Sequence, residues 1–111
     1  MSHDLLRLIE DSRSLNPKVF SLIRMQILSN MYDLGADGST YREIKAVLGV
    51  SDGALYSNLK ALQGMGYVES KSVRVEGKSL ESFNITKEGK GAWNEARKWL
   101  WKMLDRGGAS E

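Results

Sequence analysis

Residues 51–69 read SDGALYSNLKALQGMGYVE, a run that opens with a helix cap and closes with a helix stop followed by extended sequence. Ser51 is placed to accept a hydrogen bond from a free first-turn amide, and Asp52 puts negative charge at the positive end of the helix dipole. Leu55, Leu59 and Leu62 recur at helical spacing and define one narrow buried stripe. Gly64 and Gly66 offer two points where the chain can turn left-handed, before Tyr67 and Val68 begin something extended.

At about 100° per residue, the side opposite the leucines carries Gly53, Tyr56, Ser57, Lys60, Ala61 and Gly64, with Asn58 on one flank. A solvated helix normally displays long Lys, Glu and Gln side chains there. This face is instead cut back towards the backbone and set with one Tyr, one Ser, one Asn and one Lys. Such a surface can approach another rigid body closely. The major groove of a DNA duplex, which admits a helix and displays donors and acceptors on its base edges, is the natural candidate. The plain alternative is a short surface helix whose outer residues happen to be small.

The flanks favour the first reading. Upstream, Thr40-Tyr41-Arg42-Glu43 has the form of a capping box and starts a second short helix. Tyr41, Ile44 and Leu48 give that helix its apolar stripe, and Gly49 with Val50 makes the tight turn into Ser51. Two short helices joined by such a turn, the second with an open polar face, form a helix-turn-helix pattern. Downstream, Val73 and Val75 alternate with Ser72 and Arg74, and Phe83 and Ile85 alternate with Ser82 and Asn84, which predicts a two-stranded hairpin turning at Glu76-Gly77-Lys78-Ser79. Val68 has the opposite parity to Val73, so a bulge or bend is expected between them. The tip should project Lys78 and Ser79, with Arg74 on the outward side of its strand. A helix-turn-helix followed by a hairpin is a winged helix.

The stretch from Thr40 to Gly89 resembles the small archaeal and bacterial winged-helix transcriptional regulators related to the multiple-antibiotic-resistance (MarR) type. The shared pattern falls on Asp52, Gly53, Leu55, Leu59, Leu62, Gly66, Tyr67, Val68, Thr86 and Gly89. The resemblance implies a homodimer that binds duplex DNA in a sequence-specific way and represses or activates nearby transcription. Relatives often carry several Arg or Lys at the wing tip, whereas this tip reads VEGKSLES, with Lys78 near Glu76 and Glu81. Related arsenic-type sensors bind metal through cysteines near this region, and this chain has none, which excludes a thiol metal sensor.

Composition agrees. A chain of 111 residues, 41% hydrophobic and 27% charged, is one globular domain of ordinary size. No run of about 18 apolar residues is present to span a membrane. The opening MSHDLLRLIEDSR contains Asp4, Glu10 and Asp11 and lacks the basic start of a signal peptide, which points to a cytoplasmic protein. Zero cysteines removes disulfides and thiolate chemistry together. The net charge of +2 is mild for a DNA binder. Four basic residues face five acidic ones before position 40, and six face four over 40–80, so the reading head is slightly the more positive part.

Three further helices surround this centre. Asn16-Pro17 reads as a cap followed by proline at the first helical position. Phe20, Ile23, Ile27, Met31 and Leu34 follow as a core stripe that Gly35 ends. Ahead of it, Leu5, Leu6, Leu8 and Ile9 form a short apolar segment that a minimal winged helix does not need. Thr86 caps the last helix, expected to run to about Arg106. There Trp93, Ala96, Leu100, Met103 and Leu104 share a stripe while Trp99 and Trp101 lie to either side, an apolar arc of about 200°. So wide an arc exceeds one domain face and points to a partner chain, since interface cores are rich in Trp and Met; the plain alternative is a helix packed on its own core with one Trp left partly exposed. The expected dimer interface is therefore Leu5, Leu6, Ile9, Trp93, Trp99, Leu100, Trp101, Met103 and Leu104, presenting two recognition helices to successive major grooves.

Catalysis has little to work with: the single His3 sits near the N-terminus, and no glycine-rich phosphate loop occurs. The sequence thus predicts a non-enzyme without metal or cofactor. Its expected fold class is mainly α with a small β-hairpin wing (α+β). The expected organisation is an N-terminal helix at 1–15, a winged helix-turn-helix core at 16–85, a C-terminal dimerisation helix at 86–106 and a frayed tail at 107–111. The helix from Ser51 to Met65 should enter the major groove with Tyr56, Ser57 and Asn58 near base edges, and Thr40, Ser51 and Gly53 are further expected DNA contacts. Arg42, Lys45, Lys60, Arg74 and Lys78 should meet phosphates. Expected partners are a pseudo-palindromic DNA operator, a second copy of the chain, and an unidentified small-molecule effector for whose crevice Trp93, Trp99 and Trp101 are candidate linings. The competing expectation is a winged-helix protein-interaction module.

Overall fold

The computed structural model describes residues 3–105, so the expected tail at 107–111 lies outside the described residues. The chain order is α1 (His3–Asp11), α2 (Leu22–Leu34), β1 (Ser39–Thr40), α3 (Tyr41–Leu48), α4 (Asp52–Gly64), β2 (Val68–Val75), β3 (Lys78–Ile85) and α5 (Lys87–Asp105). Among the described residues no helix is long and apolar enough to cross a membrane.

Side-chain caps decide where most helices start. Ser51 Oγ accepts from the Ala54 amide at 3.2 Å and begins α4. In the capping box of α3 the Thr40 amide donates to Glu43 Oε1 at 2.9 Å, while the Glu43 amide donates to Thr40 Oγ1 at 3.3 Å. Thr86 Oγ1 accepts from the Gly89 amide at 2.9 Å and donates to the Gly66 carbonyl at 2.6 Å, tying the start of α5 to the end of α4. Asn16 behaves differently from the sequence expectation. Its Oδ1 accepts from the Lys18 amide at 3.0 Å, yet it opens only a single 3-10 turn over Pro17–Val19. The chain then bends at Phe20, and Ser21 caps α2 through the Arg24 amide at 3.2 Å. The bend seats Val19, 1% exposed, in the core.

Of the two candidate stops after α4, Gly66 takes the left-handed position at φ 80°, while Gly64 stays helical. The hairpin also differs from expectation. Val68 pairs with Ile85 and Val75 with Lys78 in one unbroken antiparallel register, so no bulge separates Val68 from Val73. The turn is only Glu76-Gly77, with φ of 51° and 78°, the two positive values a tight two-residue hairpin turn of matching twist requires. Lys78 and Ser79 belong to β3 rather than to the turn. The parity mismatch has another origin. Cross-strand partners share a face, so Val68, Ile85 and Phe83 line one face at the base, whereas Val73, Leu80 and Val75 line the opposite face towards the tip. A third strand, β1, pairs with β3 through Ser39–Phe83 and Thr40–Ser82. Two residues are too short to show alternation, which is why the sequence does not announce it.

The core gathers Ile27, Leu28 and Met31 of α2, Ile44 of α3, the α4 leucines, Val68, Phe83 and Ile85 of the sheet, and Ala96 of α5. Gly89 is where α5 crosses the sheet, and a Cβ there would overlap the Tyr67 carbonyl and Ile85. Gly91, also on α5, has open space around it. Gly89→Ala is therefore expected to lower stability by about 1–3 kcal/mol through overpacking. Gly91→Ala should raise it by up to about 1 kcal/mol through helix propensity. Urea denaturation of both variants checks the pair, and equal shifts would contradict this packing.

Candidate nucleic-acid interface

The leucine stripe of α4 is sealed, with Leu55, Leu59 and Leu62 at 0%, 2% and 0% exposure, and this burial turns the opposite side outwards. Ser51, Gly53, Tyr56, Ser57 and Lys60 are all exposed there. Tyr56 stands at 58% exposure with the Lys60 ammonium 5.5 Å from its ring centroid, the contact an i,i+4 pair on one helix face permits. Gly53 has nothing within 4 Å of the position a Cβ would occupy, so its small size is not demanded by packing within the chain. Ser57 Oγ rests on the Ala54 carbonyl at 3.4 Å.

The remaining expected contacts are placed less simply. Asn58 is only partly exposed, and both ends of its amide are engaged within the protein. Its Oδ1 accepts from Arg24 Nε at 2.9 Å, and its Nδ2 donates to the Ala54 carbonyl at 2.7 Å. Thr40 is held in the capping box, and Lys45 forms an ion pair with Asp52 at 2.9 Å. Arg42 is exposed and lines a concavity of about 400 Å³ between the start of α3 and the wing, together with Thr40, Val75, Lys78 and Leu80. On the wing, Arg74 and Lys78 are both exposed, but the register puts them on opposite faces of the hairpin, and Arg74 Nη2 donates to the Gly77 carbonyl at 3.1 Å. Arg74 and Lys78 therefore do not form one patch.

Arg24 is the residue near this surface that sequence reasoning missed. Its signal was hidden because the start of α2 was placed five residues too early. A capped start at Ser21 would have shown a cation in the first helical turn, where the dipole disfavours it.

Where α3 meets α4, three titratable groups are perturbed. The Tyr41 hydroxyl donates to the Asp52 carbonyl at 2.9 Å, and its phenol is held above the ordinary value by burial and by the Asp52 carboxylate. The Asp52 carboxyl is held below its ordinary value by the hydrogen bond and charge of Lys45, and Glu43 by its bonds to Thr40.

The expected dimer residues divide as well. Trp99 is engaged within the chain: its indole N–H donates to the Leu8 carbonyl at 2.8 Å and its ring meets Phe20 edge-on at 5.8 Å, pinning α1 onto α5. Trp93 packs against the core. Leu5, Leu100 and Met103 are half-buried, whereas Leu6, Ile9, Trp101 and Leu104 are 48%, 42%, 69% and 67% exposed. The three tryptophans do not line a common crevice. Trp93 borders a groove with Met25 and Val47, Trp99 one with Leu15 and Phe20, and Trp101 one with Arg97 and Lys98. Their spacing along α5 points them to different sides of the helix. Among the described residues no group of three or more His, Cys, Asp or Glu is arranged to hold a metal.

A capped helix-turn-helix, a hairpin wing and an open second helix together define a winged helix domain. The chain belongs to the winged helix DNA-binding domain family, whose sequence model matches residues 23–104. That is a family of DNA-binding domains, in accord with the expectation that the chain is not an enzyme. An uncharacterised protein of Methanocaldococcus jannaschii is 32% identical over 88 residues, covering 78% of this chain and 90% of that protein. The MepR–DNA complex of S. aureus superposes with a TM-score of 0.71 at 12% identity, covering 97% of this chain and 85% of that one. A cysteine-to-serine mutant of E. coli MarR gives 0.70 at 20% identity, covering 93% and 71%. At these identities the two solved structures show a shared fold.

Because Asp52 and Glu43 have lowered values in the folded chain, the stability they contribute is complete above the ordinary carboxylate range and is lost as pH falls through the lowered values. The melting temperature of the native chain should exceed that of Asp52→Asn at pH 7, and the difference should shrink as pH falls through the lowered Asp52 value. A gap that widens towards acid would contradict the sign.

Proposed function

We infer that this chain is a sequence-specific transcriptional regulator that binds double-stranded DNA as a homodimer, with α4 in the major groove and the β2–β3 wing along the backbone. The observation that carries this reading is the exposed side of α4, short and polar around Gly53, Tyr56, Ser57 and Lys60, on a helix whose other side is fully buried. Membership of a DNA-binding family supports it. Ser51, Gly53, Tyr56 and Ser57 would lie near base edges, and Arg42, Lys60, Arg74 and Lys78 near phosphates, with Thr40 and Lys45 bracing the corner where α3 meets α4. The core at 16–85 would read DNA. Helix α5 would serve twice, its first half closing the core through Gly89 and Ala96 and its second half joining α1 in the dimer. The exposed Leu6, Ile9, Trp101 and Leu104 would form the centre of that contact, and the two-fold axis would call for a pseudo-palindromic operator. Such a regulator would act in the cytoplasm, and the groove beside Trp99 is the candidate place for an unidentified effector.

A second reading, a protein-interaction module, is favoured by the apolar patch on the wing, where Val75 and Leu80 are 45% and 39% exposed. Titration of duplex DNA at several salt concentrations separates the two. Binding should weaken with salt, and Lys60→Ala should reduce the magnitude of the log–log slope by about one. Gly53→Gln should leave thermal stability intact yet weaken binding, because its side chain fills the space the duplex needs. A chain with no salt-dependent affinity for pooled genomic fragments would sink the DNA reading.

The dimer is tested by Trp101→Lys combined with Leu104→Lys. Light scattering should give the mass of two chains for the native protein and of one chain for the variant, with unchanged helical circular dichroism. A native protein that scatters as one chain would refute this part.

A further inference from the structure

Arg24 is the third residue of α2, inside the first turn, where the helix dipole opposes a positive charge. It is half-buried, and among the described residues no carboxylate lies within ion-pair distance of it. A cation so placed needs fixed acceptors, and it has two. Nη1 donates to the Lys18 carbonyl at 2.9 Å and Nε donates to Asn58 Oδ1 at 2.9 Å, while Asn58 Nδ2 donates onwards to the Ala54 carbonyl at 2.7 Å. The orientation of the Asn58 amide follows from chemistry: arginine only donates and a carbonyl only accepts, so a flipped amide would lose both bonds.

These bonds run in one line from the turn at Pro17–Val19, through α2, to the middle of α4. The leucine stripe beneath α4 resists withdrawal from the core, but apolar packing is not directional and holds rotation about the helix axis less firmly. Rotation is what matters at a base edge. A turn of about 10° moves an atom at the helix rim, about 6 Å from the axis, by about 1 Å. That displacement is enough to break a hydrogen bond.

We propose that Arg24 is a positioning residue for DNA recognition, acting through Asn58 to set the rotation of α4 and hence which base edges Tyr56 and Ser57 reach. The inference rests on the DNA-binding reading above. It moves Asn58 from a reader of bases to the partner of a strut. Lysine cannot replace Arg24 here, because a point ammonium lacks the planar fork that spans both acceptors.

The test uses the full chain and two duplexes of equal length: one recovered by the native protein from a randomised pool, and a scrambled control. Arg24→Lys keeps the charge, so affinity for the scrambled duplex and the salt slope should match the native protein. Affinity for the selected duplex should fall by about tenfold, the scale of a lost charge-assisted bond. Asn58→Ala should produce the same selective loss, and the double variant should fall no further than either single one, since both remove one strut. Asn58→Ala removes the same strut without disturbing the first turn of α2, so this variant keeps the test open should Arg24→Lys melt early. Unchanged ratios of selected to scrambled affinity, additive losses, or a drop in melting temperature with no change in ratio would each overturn the strut while leaving DNA binding in place. A native chain without salt-dependent binding to either duplex overturns both readings.

Discussion

Leu55, Leu59 and Leu62 lie in one cluster with Ile27, Leu28 and Met31 of α2, Ile44 of α3 and Phe83 and Ile85 of the sheet. Each leucine so sealed contributes about 2 kcal/mol relative to exposure. The consequence is directional as well as energetic. With three successive turns of α4 held inwards, its other face has nowhere to go but solvent, and the corner made by Gly49 holds α3 beside it. Helix α5 closes the same cluster from the far side only because Gly89 lets its backbone pass against Tyr67.

Upon that frame a second layer of directional bonds governs what the open face offers. Lys45 is drawn to Asp52, Arg24 to Asn58, and Arg74 to the turn carbonyl of Gly77. Each bond lowers the freedom of its cation, and two of the three, Lys45 and Arg74, are cations that sequence alone would assign to a phosphate. What stands outwards on α4 is polar and mostly short, while the wing sets Lys71 and Lys78 on one face and Arg74 on the other. Recognition built on such a surface depends on the shape and angle of one helix more than on bulk charge, consistent with the mild net charge of +2.

Most of the fold was legible because it is written in local signals. The Ser51 cap, the Thr40–Glu43 box and the Thr86 cap involve residues three apart, and the leucine stripe has a period that any helix must obey. The errors arose where a local rule had a rival. Asn16-Pro17 is a good helix start, yet Ser21 is another, and the need to bury Val19 bends the chain between them. The hairpin pattern suggested a bulge because alternation was assumed to mark a single buried face. In the folded chain Val68, Phe83 and Ile85 are buried on one face at the base, and the tip carries its apolar residues on the other face. Trp93, Trp99 and Trp101 share a helix and so looked like one surface, but α1 covers Trp99, the core receives Trp93, and Trp101 alone stays at 69% exposure.

By itself the sequence determined which segments are helical, where α3, α4 and α5 are capped, and that one helix must bury leucines and expose a trimmed polar face. These follow from spacing and from hydrogen bonds that close within a few residues. Only the tertiary structure decided which of the exposed polar groups are already engaged. Arg24 and Asn58 lie thirty-four positions apart, Trp99 and Leu8 ninety-one. No periodicity connects residues so distant, because the distance between them is set by how the helices pack and not by the chain between them.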